Sequence, residues 1–111
     1  MGVKFALAAA LCAFAAAPAL AQKSTEDGRR DCEKLAAIKF KQENPAFKRF
    51  AIDRAEVEED KFADKVGTQF VSTVYHGKAV YQDTGTPQNV RFICLHGGIG
   101  KGAVFVYTLP R

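Results

Sequence analysis

The spacing of hydrophobic residues changes along the 111 residues of this chain, and each spacing predicts a different element. An unbroken apolar run, Phe5 to Ala17, lies near the start. Apolar residues then recur every three or four positions as far as Asn44, and they alternate with polar residues after Pro45. The first spacing is typical of an amphipathic helix, and the second of a strand with one buried face. The pattern therefore predicts an apolar leader, one helix and then several strands.

The predicted helix has its start and its end marked by residue type. Ser24 or Thr25 can cap its N-terminus with a side-chain oxygen. Pro45 disfavours helical geometry in the residue before it, so the helix ends near Asn44. Its apolar stripe contains Cys32, Leu35, Ala36 and Phe40.

Alternation after Pro45 predicts about four strands. A glycine inside a strand marks a bend or a turn, so His76-Gly77 makes the second region either one bent strand or two short ones. The acidic and basic residues from Glu56 to Lys65 predict a charged connection. The predicted strand regions are Ala46 to Val57, Val66 to Gln82, Val90 to His96 and Ala103 to Leu109.

This element order predicts an α+β fold, in which the helix packs on one face of a mostly antiparallel sheet. Of the three cysteines, Cys12 lies in the apolar leader, which leaves Cys32 and Cys94 to form a disulfide. Closing a loop of about 60 residues stabilises a fold by roughly 4 kcal/mol. The bond would place Cys94 on the face of its strand that meets the helix, together with Val90, Phe92 and His96.

The N-terminal residues predict export. The positive charge of Lys4, the apolar run and the small residues at Ala19 and Ala21 are typical of a signal peptide cleaved after Ala21. The run is shorter than the roughly 20 residues that cross a bilayer, so no stable membrane insertion is expected after cleavage. We expect one domain over residues 22–111, in the periplasm or outside the cell.

The charges argue against nucleic acid as a partner. The chain has 16 basic and 12 acidic residues, a formal net charge of +4. Both signs are interleaved along the sequence, as on an ordinary solvated surface, and no basic stripe carries stacking aromatic residues.

The glycine-rich loop Gly97 to Gly102 resembles a phosphate-binding loop only in part. Gly102 occupies the position where that motif needs Ser or Thr, and a strand follows instead of a helix. A hairpin turn explains the glycines better. No nucleophile motif is present, so we expect neither enzymatic activity nor a cofactor. His76 and His96 remain candidate ligands for a metal or a small molecule, although the sequence supplies no complete ligand set.

An apolar surface is the stronger functional indication. On the side of the sheet away from the helix, the pattern places Ile93 and Leu95, with Val104 and Val106 on the neighbouring strand. Exposed apolar patches mark interaction sites. We therefore expect a protein-binding or self-associating module, with a small-ligand or metal-binding module as the alternative.

The layout resembles that of small uncharacterised secreted or periplasmic proteins of Gram-negative bacteria. The resemblance rests on a cysteine-bearing helix, the turn Gly77-Lys78-Ala79, the stretch Phe92-Ile93-Cys94 and a terminal valine-rich strand. It implies an exported domain but carries over no catalytic residues. Periplasmic lysozyme inhibitors are similar in size and in having a stapled sheet, so inhibition of such a hydrolase is a further possible function.

Overall fold

A computed structural model describes residues 25–110 of the chain, so the predicted signal peptide and Ser24 lie outside the described residues. Helix α1 comprises residues 25–43 and ends before Pro45, as the sequence predicts. Five strands follow, and their bounds are β1 Arg49–Ile52, β2 Glu58–Val66, β3 Gln69–Gln82, β4 Gln88–His96 and β5 Ala103–Pro110.

The strands form one antiparallel sheet around β3. One edge of β3 pairs with β1 through residues 79–82 and with β2 through residues 69–76. The other edge pairs with β4, and β4 pairs with β5. Because α1 packs on one face of this sheet, the predicted α+β fold is confirmed, with five strands where the sequence predicts about four.

Two parts of the chain differ from the sequence prediction, the charged connection and the first strand. The charged connection contains β2, whose nine residues are all exposed, so no alternation in hydrophobicity marks it. The first predicted strand shortens to β1. In contrast, His76-Gly77 does not divide β3, because Gly77 adopts a φ of 153° that only glycine tolerates easily. A side chain there would collide with the carbonyl of Glu56, which crosses this point of the strand.

The core lies between α1 and the sheet. The ring of Phe40 contacts Phe47, Phe50 and Tyr81, with centroids 5.4 to 5.9 Å apart. The predicted disulfide joins Cys32 of α1 to Cys94 of β4, with a Cα–Cα distance of 6.1 Å, and both cysteines are fully buried. The covalent bond therefore connects helix to sheet at the centre of the core.

We call residues 61–72, which lie beyond the end of β4, the arm. In this segment β3 pairs only with β2, because β4 pairing begins at Thr73. A bulge between Lys61 and Asp64, with Ala63 at a φ of 53°, breaks the register of β2. Three large apolar side chains are exposed on the arm, those of Phe62, Val66 and Phe70.

Candidate functional site

The two histidines that the sequence singles out lie on opposite faces of the sheet. His96 is the cross-strand partner of Thr73 on the face that α1 covers. His76 is the cross-strand partner of Ile93 on the other face. The structure therefore does not bring them together in one site. Within residues 25–110, no group of three or more His, Cys, Asp or Glu side chains is placed to hold a metal ion.

A cavity of about 660 Å³ lies beside His96, between the first turns of α1, β3 and the glycine-rich loop. Three carboxylates line it, those of Asp27, Asp31 and Glu59, together with Tyr75 and the backbone of the loop. A ligand in this cavity would therefore meet carboxylates, a phenol and the backbone of the loop.

Both ring nitrogens of His96 are already bonded. The backbone N–H of Gly98 donates to Nδ1 at 3.0 Å, which leaves the proton on Nε2. Nε2 then donates to Oδ2 of Asp31 at 2.8 Å. Coordination of a metal by either nitrogen would break one of these bonds. His96 thus connects the glycine-rich loop to the helix rather than offering a free ligand.

Tyr75 forms the floor of the same cavity. Its ring meets that of His96 edge to face, with centroids 5.8 Å apart, and packs against Gly28, where any side chain would collide with it. Its hydroxyl donates to Glu59 at 3.4 Å, and Thr25 donates to the other oxygen of Glu59 at 2.6 Å. Burial, and then the negative charge of Glu59, raises the pKa of Tyr75 to about 12.

The glycine-rich loop is the hairpin connection that the sequence predicts. Gly98, Gly100 and Gly102 all have positive φ, and the N–H of Gly97 donates to the carbonyl of Gly102 at 2.8 Å. The loop leads from one strand into the next, with no helix N-terminus to hold a phosphate.

The opposite side of the sheet, which we call the outer face, is the second candidate. Cross-strand pairing arranges its side chains in rows. No helix or second sheet of the described residues packs on it. Its rows are Asp60, Val74, Leu95 and Phe105; Glu58, His76, Ile93 and Tyr107; and Lys78, Arg91 and Leu109.

The outer face is apolar on the side of β4 and β5. Phe105, Tyr107 and Leu109 are 44, 49 and 39 % exposed, and Ile93 and Leu95 are half-buried. The rings of Phe105 and Tyr107 stack with their planes 12° apart. An apolar groove of about 290 Å³ extends this surface from Leu95 and Phe105 towards Val66 on the arm.

Val106 does not belong to this face, which corrects the expectation from the sequence. A bulge in β5 places Phe105 opposite Leu95 but Ala103 opposite His96, so Val106 pairs with Cys94 and is fully buried beneath α1. Val104, the extra residue at the bulge, is half-buried and lines the apolar groove. Both alternating sets in β5 are largely apolar, so hydrophobicity alone does not identify the exposed one.

Charged groups surround the apolar centre of the outer face. On β2, Asp60 and Glu58 approach Nε2 of His76 at 2.8 and 3.6 Å. Lys78 forms an ion pair with Glu56 at 2.9 Å. Arg91 is exposed and makes no hydrogen bond or ion pair with the residues described. Arg91 is therefore the charge most available to a partner.

The edges formed by β5 and β2 each carry features that oppose pairing with another strand. On β5, the Nζ of Lys39 donates to the edge carbonyl of Val106 at 2.7 Å and lies 4.8 Å from the centroid of Phe105. The edge of β2 carries a bulge and mostly charged residues. Lysines, charges and bulges are the features that discourage edge-to-edge association.

Comparisons with known proteins identify no relative: no family model matches the chain, and neither does any curated protein or solved structure. Within residues 25–110, no helix has the length and hydrophobicity needed to cross a membrane.

Proposed function

We propose that this is an exported, non-enzymatic binding protein of the periplasm or the extracellular space, and that the outer face of its sheet is the binding surface. The predicted signal peptide supports export. The disulfide between Cys32 and Cys94 is consistent with an oxidising compartment, where such bonds persist.

The exposed apolar side chains of the outer face are the observation that carries the proposal. Phe105, Tyr107 and Leu109 follow one another along β5 on the side that α1 does not cover. Each buried square ångström of such surface contributes about 25 cal/mol to association before its costs are subtracted. A patch of this kind, rimmed by charged residues, marks a protein interaction site.

The helix-face cavity supports binding less well than the outer face does. Its histidine, its tyrosine and two of its three carboxylates already bond to one another or to the backbone. A ligand would have to replace these bonds. On the outer face, by contrast, the exposed apolar surface gains free energy as soon as a partner covers it.

Replacement of Leu95 by Asp tests the proposal. Leu95 lies at the centre of the outer face, so Leu95→Asp is expected to abolish self-association measured by light scattering and specific capture of envelope proteins. Ile38→Asp is the matched control, because Ile38 is an exposed apolar residue on α1. The proposal fails if the wild-type protein neither associates nor captures more than Leu95→Asp does.

A further inference from the structure

The charges of the outer face show what kind of partner fits it. Resting on the proposed function, we infer that the partner is a second copy of this chain. We place the two copies outer face to outer face, related by a two-fold axis in the plane of the face that crosses β3 at His76 and β5 at Phe105.

The face carries both signs of charge in separate places. Asp60 and Glu58 lie on β2, on one side of His76. Lys78 and Arg91 lie on β3 and β4, further along the strands in the opposite direction. Lys78 is ion-paired with Glu56 of the same copy, so Arg91 is the unpaired positive charge of this part. A surface that is acidic in one part and basic in another can be complementary to itself.

The register fixes how far apart the opposite charges are. Arg91 lies opposite Lys78 on β3, and Asp60 lies opposite Val74 on β3. Arg91 and Asp60 are therefore separated by two strand spacings across the sheet and by four residues along the strands. These separations amount to about 10 Å across the strands and about 14 Å along them. A two-fold axis that exchanges the two positions passes midway between them, at His76.

The direction of this axis follows from the same separations. The axis runs through His76 at right angles to the line from Arg91 to Asp60, and in this direction it reaches β5 at Phe105. The strands of the two copies then cross at about 70°, which is closer to the orthogonal class of sheet packing than to the aligned class.

The same axis also brings two other pairs of residues opposite one another. Lys78 of one copy comes opposite Glu58 of the other, which gives a second pair of opposite charges. Leu95 comes opposite Tyr107 of the other copy, and each Phe105 meets its counterpart on the axis. The apolar patch therefore covers itself while the charges around it pair.

The protected edges favour this arrangement over continuation of the sheet. Lys39 occupies the β5 edge at Val106, and charged residues and a bulge occupy the edge of β2. A second copy that pairs through either edge would have to displace these features. Association through the outer face leaves them in place.

A charge exchange tests the inference by sedimentation velocity over a concentration series of the exported, disulfide-bonded protein. Arg91→Glu and Asp60→Arg are each expected to weaken the dimer by about tenfold or more, because each places like charges opposite one another twice. The double variant Asp60→Arg/Arg91→Glu restores two opposite-charge pairs and is expected to return the dimer to near wild-type strength. Lys48→Glu is the control, since it makes the same kind of charge change at an exposed residue off the outer face.

The outcomes separate this inference from the proposed function. A dimer that Leu95→Asp dissociates but Arg91→Glu leaves intact overturns the axis and retains the outer face as the binding surface. Failure of the double variant to recover also overturns it. A wild-type monomer at the highest attainable concentration overturns the second copy as partner, and the proposed function then stands only if wild type captures an envelope protein that Leu95→Asp does not.

Discussion

Individual side chains give the two faces of the sheet different properties. On the helix face, His96 bonds to Asp31 through one nitrogen and to Gly98 through the other, so its polarity is used internally. On the outer face, Arg91 has no partner among the described residues. The sequence marks His96 as a candidate ligand and does not mark Arg91, and only their bonding distinguishes a structural role from an available charge.

Tyr75 makes stability depend on pH in the alkaline range. Its folded pKa of about 12 exceeds its ordinary value of 10.0, so folding favours the protonated phenol. That contribution is complete below pH 10 and is lost as the pH rises from about 10 through about 12. We expect the free energy of unfolding to fall by about 1–2 kcal/mol over this interval, measured by urea denaturation at a series of pH values.

Tyr75→Phe is the control for the pH dependence, because it keeps the ring against Gly28 and His96 and removes the ionisable hydroxyl. Its free energy of unfolding is expected to change less than that of the wild type between pH 10 and 12. Equal slopes for the two proteins would show that Tyr75 is not the group responsible.

At the scale of elements, the helix and the strands differ in how clearly the sequence predicts them. Helix α1 has an apolar stripe, and β4 contains a short run of mostly apolar residues, so both are predicted. Strand β2 has no buried face, and its ladder with β3 is the only feature that makes it a strand. The two strands are consecutive and are joined by the turn Gly67-Thr68, but the charged residues of β2 show no periodicity that would mark it as a strand.

The contact between α1 and β4 depends on a covalent bond. Cys32→Ala/Cys94→Ala is expected to lower the free energy of unfolding by about 4 kcal/mol, because the disulfide spans 62 residues and its loss frees a long loop in the unfolded chain. Alanine avoids leaving a hydroxyl in the fully buried site. Chemical denaturation without reductant measures the change, and a loss below about 1 kcal/mol would contradict this role.

On the scale of the whole molecule, the sheet has one face covered by α1 and one face that α1 leaves uncovered, and its β5 and β2 edges carry protecting features. Lys39 contributes to protecting the edge formed by β5, since it covers the carbonyl of Val106. The bare face is then the surface through which association costs least. This combination favours association through the outer face over strand addition at the edges.

Lys39→Met is expected to promote aggregation. Methionine keeps the apolar part of the side chain but removes both the charge and the bond to Val106, so the β5 edge becomes open to another strand. Turbidity measured over time should rise severalfold faster than for Lys41→Met, whose lysine bonds to the carbonyl of Pro45 away from any strand edge. Equal rates for the two variants would mean that Lys39 does not protect the edge.

What the sequence determined by itself is the part of the fold that rests on local periodicity and covalent chemistry: the helix, the pairing of Cys32 with Cys94, the glycine hairpin, and the side of β4 that meets the helix. Tertiary structure alone decided which side of β5 is exposed, because one extra residue at the bulge buries Val106 and exposes Phe105. It also separated the two histidines. Both outcomes depend on register between strands, which is a property of pairs of segments rather than of any one segment.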